Sequence, residues 1–404
     1  MRVLIASNFY PPYIVGGAEL IAAHLANWLT KAGHDITVVT TCDSGSGSED
    51  CIDGVRVIRY FPPNLWWNFE RFAANDRRGR LARARWRLRD YWNGASARYF
   101  RNILQQVRPE VVHTHNIKGM SPAIWRESRR MGIPIVHTAH DYHLICRLGT
   151  MSRQEADCAK PCRVCKLHGR WHAACASSVS LICSPSQFVG DRHALALGAS
   201  DRTLVVPNGL PEDPVVRLPR PPGRPLELLY LGQLRREKGA HLLPEILAGL
   251  PPDARLHVAG AGVLIGELEK VAAGDPRMIL HGFVGREAKY GLLDRADALL
   301  FPSMWTENAP VVLVEAFMHG VPAIASAIGA IPEFVEHAVN GLLVEPGDAA
   351  GFARAACEIQ DNVALAANLS QGASKTASRF TIDVMGQRYL ALYTRSLEKT
   401  GTGK

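Results

Sequence analysis

Apolar residues in the first half of the chain form short continuous runs that alternate with longer stretches of helical spacing. The stretch AELIAAHLANWLTKAG has the spacing of an amphipathic helix and ends at Gly33, a common C-terminal stop. The runs are typical of parallel strands buried on both faces of a sheet; they are RVLIAS, DITVVTT, VRVIRY, EVVHTH, PIVHTAH and SLICSPS. This alternation predicts a doubly wound α/β unit, whose ligands bind beyond the carboxyl ends of its strands.

A second β-α alternation follows the proline-rich segment LVVPNGLPEDPVVRLPRPPGRP, residues 204–225, which we interpret as a linker. Its predicted strands are LELLYLG, RLHVAG, MILHGF, ALLFPS, PAIASA and NGLLVEP. The pattern therefore predicts an α/β protein with two Rossmann-like, doubly wound parallel-sheet domains, at 1–205 and 206–378. Residues 379–404 are predicted to form a final helix.

Length and composition agree with two globular domains. The 404 residues are 47% hydrophobic and 21% charged, and they are too many for one compact core. The N-terminal MRVLIASNFYPPY resembles a buried strand rather than a signal peptide, and no apolar run is long enough to span a bilayer. We therefore expect a cytoplasmic protein. Nine cysteines without an export signal argue against a disulfide framework.

The net charge of +8 is concentrated in RRGRLARARWRLRDYWN, residues 77–93. Such a segment suits lipid head groups, nucleic acid or a phosphate-bearing acceptor, or it is simply a solvated helix face. The preceding NLWWNFERF places aromatic rings beside these cations. We expect peripheral contact with an anionic membrane surface through the region from Arg77 to Arg101. The same rings could instead belong to the core or to an acceptor groove.

A phosphate-binding loop is predicted in YLGQLRREKG. A buried strand ends at Gly232, three cations follow at Arg235, Arg236 and Lys238, and a helix is predicted from Gly239. Cations and glycines at a helix N-terminus suit a phosphate group. Glycines also open the first helix of the chain, where Gly16 and Gly17 permit close approach of a ligand.

Two acids, Glu307 and Glu315, stand in an E-x7-E spacing within FPSMWTENAPVVLVEA. Pro310 suits the first turn of a helix, which assigns Glu307 to a loop and Glu315 to the helix. Paired acids permit a glycoside hydrolase, but that chemistry needs no phosphate loop. A nicotinamide or flavin enzyme is disfavoured because VAGAGVLIG has its third glycine one position late and no ribose-binding acid follows.

Four cysteines, Cys146, Cys158, Cys162 and Cys165, form a C-x11-C-x3-C-x2-C pattern in a cysteine-rich insertion at 146–175. Cys175 and His168 lie close by in sequence. The pattern suits a structural zinc ion, although the first cysteine could belong to the core. Together with the arginines and Trp86, it also permits a zinc-containing nucleic-acid-binding protein. That alternative leaves the second domain unexplained, and we expect no nucleic-acid partner.

Several longer motifs carry a family resemblance. They are GQLRREKG, FPSMWTENAPVVLVEAFMHGVPAIAS, IGAIPEFVEHAVNGLLVEPGD and VVPNGL, with SNFYPPYIVGGAEL and VVHTHN…VHTAHDYHLIC nearer the N-terminus. On these motifs the chain resembles the family 4 retaining glycosyltransferases of the GT-B fold. The resemblance implies two domains facing each other across a cleft, with the last helix crossing back onto the first.

The resemblance also implies site roles. A nucleotide-diphosphate sugar would bind the second domain, and a glycan or lipid-linked acceptor would bind the first, in cell-surface polysaccharide or glycolipid assembly. Lys238 would neutralise the diphosphate, Glu315 would accept the ribose hydroxyls, and Glu307 and His140 would act at the transferred sugar. The other implied donor contacts are Gly16, Gly17, Gly232, Gln233, Arg235, Val284, Asn308 and Ala309.

Family members often carry arginine where this chain has Gln233, so Arg235 or Arg236 would take the second diphosphate charge. No metal or organic cofactor is implied for catalysis. The implied reaction is attack from the leaving-group face, with the departing phosphate as base.

Overall fold

The computed structural model describes residues 1–43, 47–72, 78–153, 156–158, 160–217 and 223–401. The chain divides into two compact units. Unit 1 comprises Met1–Met151, Cys158–Pro211 and the chain from Ile382 onward, and unit 2 is mainly Glu212–Thr381. These divisions fall a few residues after the boundaries predicted at 205/206 and 378/379.

Strands in the first half of the chain are β1 (Arg2–Ala6), β2 (Asp35–Thr41), β3 (Ser48–Ile52), β4 (Val55–Tyr60), β5 (Val111–Thr114), β6 (Ile135–Thr138), β7 (Ser152–Arg153), β8 (Ala156–Asp157), β9 (Leu181–Ser184) and β10 (Thr203–Val205). Strands in the second half are β11 (Glu227–Leu231), β12 (Arg255–Ala259), β13 (Met278–Gly282), β14 (Ala298–Phe301), β15 (Ala323–Ser326) and β16 (Gly341–Val344). The short hairpin of β7 and β8 belongs to neither of the two large sheets.

Helices of unit 1 are α1 (Gly17–Lys31), α2 (Arg80–Tyr91), α3 (Gly94–Val107), α4 (Ala123–Arg130), α5 (Arg163–Ala176) and α6 (Gln187–Leu197). Unit 2 contains α7 (Leu243–Ala248), α8 (Ile265–Gly274), α9 (Arg286–Arg295), α10 (Val311–Met318), α11 (Ile331–Phe334), α12 (Ala349–Asp361) and α13 (Val363–Ala377). The final helix, α14 (Ile382–Gly401), returns to unit 1.

The sheet of unit 1 has, in its described residues, the order β10-β9-β6-β5-β1-β2-β4-β3. Its pairs are parallel except for β3, which runs antiparallel to β4 at the edge. The strand order reverses between β1 and β5, which are adjacent. The sequence predicted the parallel strands except β10, most of which falls in the predicted linker at 204–225. It also missed β3, because SEDCI lies exposed at the edge and lacks a continuous apolar run.

The sheet of unit 2 is wholly parallel in the order β13-β12-β11-β14-β15-β16. Counted within the unit, this is the 3-2-1-4-5-6 order of a Rossmann fold, and it reverses between β11 and β14. The core beneath it includes Leu228, Leu256 and Leu300, all fully buried. The predicted fold class is confirmed: both units are doubly wound α/β structures.

Helix α14 packs against α1 within unit 1. Trp28 Nε1 donates a hydrogen bond to Asp383 Oδ1 at 2.5 Å. Farther along α14, the Tyr393 hydroxyl lies 2.7 Å from His113 Nδ1, and the Tyr389 hydroxyl lies 2.8 Å from Thr138 Oγ1. Both hydroxyls and both of their partners are buried. These two contacts therefore attach α14 to the adjacent strands β5 and β6.

Candidate active site

In unit 2 the reversal of strand order brings together two loops that are far apart in sequence. Residues 232–238 follow β11, and residues 302–310 follow β14. Since β11 and β14 are parallel neighbours, both loops leave the same edge of the sheet. An open α/β sheet binds ligands at this position.

Lys238 and Glu307 form an ion pair at this edge, with 2.6 Å between Lys238 Nζ and Glu307 Oε1. Ser303 Oγ donates a second hydrogen bond to the same oxygen at 2.8 Å. The ammonium also lies 4.6 Å from the centroid of the Trp305 ring. Glu307 is buried, whereas the Lys238 side chain is 25% exposed, so the cation is the member of the pair that solvent reaches.

Gly239 allows the two loops to pack closely. Its φ is +74°, in the left-handed region, and a Cβ there would lie 1.8 Å from the carbonyl oxygen of Pro302. The chain after β11 therefore makes two 3-10 turns, Arg236–Lys238 and Ala240–Leu242, before α7 begins at Leu243. Our prediction of a helix from Gly239 was wrong by four residues, because Gly239 is not in the helical conformation.

A third loop lies behind Glu307. Gly329, at φ +62°, would place a Cβ 2.7 Å from the backbone nitrogen of Glu307. The Ala330 amide donates a hydrogen bond to the Glu307 carbonyl at 3.0 Å. The IGAIPEF segment is therefore packed against the acidic loop and fixes its backbone.

The second acid of the E-x7-E motif has its own lysine. Glu315 lies on α10, and its Oε1 is 2.5 Å from Nζ of Lys289 on α9. Both side chains are half-buried. Lys289 was missed in the sequence because REAKYGLLDRA shows only the periodicity of an ordinary surface helix.

Arg235 and Arg236 are the residues predicted to supply the charge that an arginine at position 233 provides in other family members. Arg235 pairs with Glu237 at 3.2 Å, and both side chains are substantially exposed. Arg236 is also exposed, and Gln233 is held through its carbonyl by the Tyr230 hydroxyl at 2.9 Å. Asn308 is buried in the acidic loop, Ala309 and Val284 are half-buried, and Gly232 is exposed at the end of β11.

In unit 1 the corresponding reversal lies between β1 and β5. The loop after β1 leads to Gly16, whose amide donates a 2.8 Å hydrogen bond to Glu19 Oε2, and α1 starts at Gly17. Gly16 is in an extended conformation, and Glu19 is buried. Burial raises the pKa of Glu19, with hydrogen bonds from nearby backbone amides acting in the opposite direction. Sequence reasoning missed this capping role of Glu19, because the residue reads as an ordinary acid in the first turn of a helix.

His140 follows β6 and contacts another histidine. Its Nε2 lies 2.8 Å from His115 Nδ1, and the two rings stack with 5.1 Å between centroids. Burial lowers the pKa of His140 to about 4 and holds that of His115 well below its ordinary value, where neighbouring histidines add to the effect. His140 is therefore neutral at neutral pH, and one imidazole of the pair donates its N–H to the other.

The cysteine pattern does not form a metal site in the described residues. Cys146 is buried, and its Sγ lies 4.0 Å from that of Cys165. Within the part of the chain that the structure describes, no group of three or more His, Cys, Asp or Glu residues is arranged to hold a metal ion. The zinc set of Cys146, Cys158, Cys162 and Cys165 therefore stays a prediction, in which Cys165 lies within reach of the thiols of both Cys146 and Cys162.

The arginine-rich segment forms α2, and Arg77 lies outside the described residues. Trp86 is buried, and its Nε1 donates to the Trp66 carbonyl at 2.9 Å. A buried indole cannot stack on a base, so Trp86 does not support the nucleic-acid alternative. Trp67 is also buried, with its ring edge-to-face against Tyr13 at 4.8 Å, so part of the aromatic segment belongs to the core.

Family models match both halves of the chain. The model for Glycosyltransferase Family 4 matches residues 15–214, and that for Glycosyl transferases group 1 matches residues 225–362. The chain is 31% identical to the glycogen synthase of Mycobacterium tuberculosis, over 92% of this chain and 89% of that protein. The chain belongs to glycosyltransferase family 4. It is therefore an enzyme, a glycosyltransferase of the hexosyltransferase class.

Other similarities agree with this family 4 assignment. The chain is 33% identical to the amylovoran biosynthesis glycosyltransferase AmsK of Erwinia amylovora. The matched region covers 32% of this chain and 35% of AmsK. The enzyme is thus related to proteins of polysaccharide biosynthesis.

Two solved structures share the fold of this family 4 enzyme. The sucrose-phosphate synthase of Thermosynechococcus elongatus matches with a TM-score of 0.74 and 20% identity, over 98% of this chain and 99% of that one. Anabaena Alr3699/HepE in complex with UDP and glucose matches with a TM-score of 0.71 and 18% identity, over 98% and 100% of the two chains. Both establish the GT-B fold. No helix in the described part of the chain is long and apolar enough to cross a membrane.

Proposed function

We propose that this enzyme transfers a sugar from a nucleoside-diphosphate donor to a hydroxyl of a glycan or lipid-linked acceptor, with retention of anomeric configuration. The observation that carries the proposal is the Lys238–Glu307 ion pair where the strand order of unit 2 reverses. A structural relative was solved with UDP and glucose, and a sequence relative is named for amylovoran biosynthesis. We therefore place the reaction in cell-surface polysaccharide or glycolipid assembly.

Lys238 is proposed to stabilise the leaving diphosphate. Breaking the bond to the sugar develops negative charge on phosphate oxygens, and a positioned cation at a water-poor edge lowers the free energy of that state. In unit 2 the ammonium neutralises Glu307, a buried carboxylate. A bound diphosphate would compete for the same cation, so donor binding is expected to weaken this ion pair.

Glu307 is proposed to hold the transferred sugar rather than to attack it. Its Oε1 already accepts hydrogen bonds from Lys238 and Ser303, which lower its nucleophilicity. The neutral His140 is proposed to donate or accept a hydrogen bond at the same sugar. Retention then follows from attack on the leaving-group face, with the departing phosphate as base.

Glu315 is proposed to accept hydrogen bonds from the ribose hydroxyls. Its Oε1 lies 2.5 Å from Lys289 Nζ, and the two oxygens of a carboxylate can accept hydrogen bonds from two vicinal hydroxyls at once.

A panel of nucleotide sugars tests this function. Purified enzyme is incubated with UDP, GDP, ADP and TDP sugars, and release of nucleoside diphosphate is measured with and without glycan acceptors. One donor should be turned over, and Lys238→Ala should reduce that turnover by at least about 100-fold, since removal of one charge-stabilising donor costs about 3 kcal/mol. Lys270→Ala, which removes an exposed lysine on α8, is the matched control. Failure to turn over any donor, or full activity in Lys238→Ala, would contradict the proposal.

We also propose that α2 contacts an anionic membrane surface. Leu81 and Leu88 are 82% and 71% exposed and, at a spacing of seven residues, lie on one face of the helix. Arginines on the same helix surround them: Arg80, Arg83, Arg85, Arg87 and Arg89. Exposed apolar residues among cations are typical of helices that lie in a bilayer interface.

Co-sedimentation with vesicles tests the membrane contact. Binding should require anionic lipid and should be lost in a Leu81→Glu, Leu88→Glu double variant. Leu195→Glu, which alters an exposed leucine on α6, should bind like the wild type. Equal sedimentation with and without anionic lipid would rule the contact out.

A further inference from the structure

His115 is a buried side chain of unit 1 that contacts His140 and has no role in the chemistry described so far. It directly follows β5, and His140 follows the neighbouring parallel strand β6, so both residues lie at the carboxyl edge of the sheet. Nδ1 of His115 is 2.8 Å from Nε2 of His140. His115 is fully buried, whereas His140 is only half-buried. A ligand at this edge therefore meets the ring of His140, with His115 behind it.

The proton in the hydrogen bond between the two rings can belong to either of them. Each neutral imidazole has one N–H donor and one nitrogen that accepts. If His140 donated, His115 would carry its own proton on Nε2, which is buried and has no hydrogen-bond partner among the described residues. Buried N–H groups without a partner are rarer in proteins than acceptors without one. Donation from Nδ1 of His115 is therefore favoured, because it leaves Nε2 as an acceptor.

The ring of His115 packs against a second buried histidine, His113, with 4.3 Å between the two centroids. Both nitrogens of His113 are hydrogen-bonded: Nδ1 lies 2.7 Å from the Tyr393 hydroxyl, and Nε2 lies 2.8 Å from Thr138 Oγ1. Thr138 Oγ1 in turn lies 2.8 Å from the Tyr389 hydroxyl. A side chain whose neighbours are fixed by packing and hydrogen bonds can hold a functional group in one orientation. His115 is such a side chain.

From these contacts we propose that His115 is a positioning residue for His140. It donates from Nδ1 to Nε2 of His140, so His140 keeps its proton on Nδ1. His140 then meets the transferred sugar as a hydrogen-bond donor through Nδ1, and it does not act there as a base through Nε2. This inference rests on the proposed function, in which His140 contacts the sugar, and it narrows the role of His140 to that of a donor.

Loss of His115 should affect sugar transfer rather than nucleotide binding. The hydrogen bond made by one nitrogen of an imidazole decides which nitrogen carries the proton. Without His115, the proton of His140 is no longer confined to Nδ1, and the ring is no longer held in one orientation. Nucleoside-diphosphate binding is proposed to depend on Lys238 and Glu315, so the affinity for the nucleoside diphosphate should not change while kcat falls.

NMR spectra of the full-length enzyme with nitrogen-15-labelled histidines test the position of the proton. The signals of His140 are identified by their loss in His140→Gln. At neutral pH the proton of His140 should be on Nδ1 in the wild type and shared between the two nitrogens in His115→Leu. A proton on Nε2 of His140 in the wild type would overturn the inference. This measurement uses no substrate, so its result and that of the donor panel are independent of each other.

Two variants of nearly the same shape test the effect on transfer. His115→Leu removes the hydrogen bond, whereas His115→Asn keeps an amide N–H close to the position of the imidazole Nδ1. His115→Leu should lower kcat about tenfold, the effect expected for loss of one hydrogen bond, and His115→Asn should stay close to the wild type. Both variants lose the ring and its packing, so a difference between them reports the hydrogen bond rather than a change in folding.

His193→Leu is the control for loss of a buried histidine in unit 1. His193 lies on α6, and its Nδ1 is 2.9 Å from the Val189 carbonyl. This variant should keep the wild-type kcat. Equal kcat values in His115→Leu and His115→Asn, or weaker nucleoside-diphosphate binding in His115→Leu, would contradict a positioning role. If His115→Leu does not fold, the proton position decides, and it should be Nδ1 of His140 in both the wild type and His115→Asn.

Discussion

Lys238 Nζ lies 2.6 Å from Glu307 Oε1, although 69 residues separate them in the chain. The contact exists because β11 and β14 are neighbours where the strand order of unit 2 reverses. A buried carboxylate and a partly exposed ammonium therefore meet at the edge where ligands bind in this fold. In unit 2 the Glu307 carboxylate is paired with the same ammonium group that the leaving diphosphate is proposed to need.

Replacing Glu307 by Gln should separate donor binding from transfer. The amide keeps the shape but removes the charge that holds Lys238, so the nucleoside diphosphate should bind as tightly as in the wild type or several-fold more tightly. The transfer rate should fall by about 100-fold if Glu307 stabilises charge at the sugar. Calorimetry for binding and single-turnover kinetics for transfer measure the two effects. Loss of nucleoside-diphosphate binding would show that the carboxylate, rather than the lysine, organises the site.

Replacing Glu315 by Gln should reduce the preference of the enzyme for a nucleotide with ribose over one with 2′-deoxyribose. The wild type should bind the natural nucleoside diphosphate about tenfold more tightly than its 2′-deoxy analogue. The variant should lose this preference, because a neutral amide offers one acceptor oxygen instead of two. Calorimetric titrations with both ligands provide the comparison. Lys289→Met should retain the preference but bind both ligands with altered affinity. Equal preference in wild type and Glu315→Gln would place the ribose elsewhere.

Replacing Gly239 by Ala should destabilise unit 2. The new Cβ would lie 1.8 Å from the Pro302 carbonyl, and the positive φ adds strain of about 1 kcal/mol or more. We expect a fall of at least about 2 kcal/mol in the free energy of unfolding, with weaker nucleotide binding because the two loops move apart. Denaturant titration and calorimetry measure both quantities.

The matched control for Gly239 is Gly291→Ala on α9. A Cβ at Gly291 would have no atom within 4 Å, and alanine favours the helix by up to about 1 kcal/mol. This control should be neutral or stabilising. A similar fall in the free energy of unfolding in both variants would mean that the close packing of the loops after β11 and β14 is not the cause of the destabilisation.

Asp90 should make unit 1 less stable as the pH rises. Burial raises the pKa of its carboxyl to about 7 in the folded state, above the value in an unfolded chain. Between the unfolded and folded pKa values, the folded state therefore keeps a proton that the unfolded chain has lost. The contribution of this carboxyl to the free energy of unfolding is fully present at low pH and is lost as the pH rises to about 7. The difference in free energy of unfolding between Asp90→Asn and the wild type should grow from pH 4 to pH 7, to at most about 4 kcal/mol, and then remain constant.

The amide introduced by the Asp90→Asn substitution has an oxygen that can still accept the Gly119 amide, so packing is preserved in that variant. Asp201→Asn, at an exposed position of unit 1, should show no such trend. Denaturant titrations from pH 4 to pH 8 measure the difference. A constant difference across this range would show that Asp90 ionises normally in the folded protein.

Local sequence patterns predicted most strands but not the contacts between them. The run LELLYLG and the motif around Glu307 each indicate a strand or loop by themselves, whereas the meeting of Lys238 with Glu307 depends on which strands are neighbours. The Lys289–Glu315 pair has the same origin, because it joins two helices of otherwise ordinary periodicity. The start of α7 was misplaced for a different reason: the close approach of Gly239 to Pro302 is a tertiary constraint that GAHLL does not reveal.

The return of α14 to unit 1 has a consequence for synthesis of the protein. Tyr389 and Tyr393 complete the hydrogen bonding of Thr138 and His113, and Gly209, just before unit 2, donates its amide to Met385 Sδ at 3.1 Å. Unit 2 is a nearly continuous segment that can fold as soon as it leaves the ribosome. Unit 1 is translated first but is complete only when the last helix has been made, so the face of α1 that α14 covers stays exposed throughout elongation. The order of folding is therefore expected to be the reverse of the order of translation.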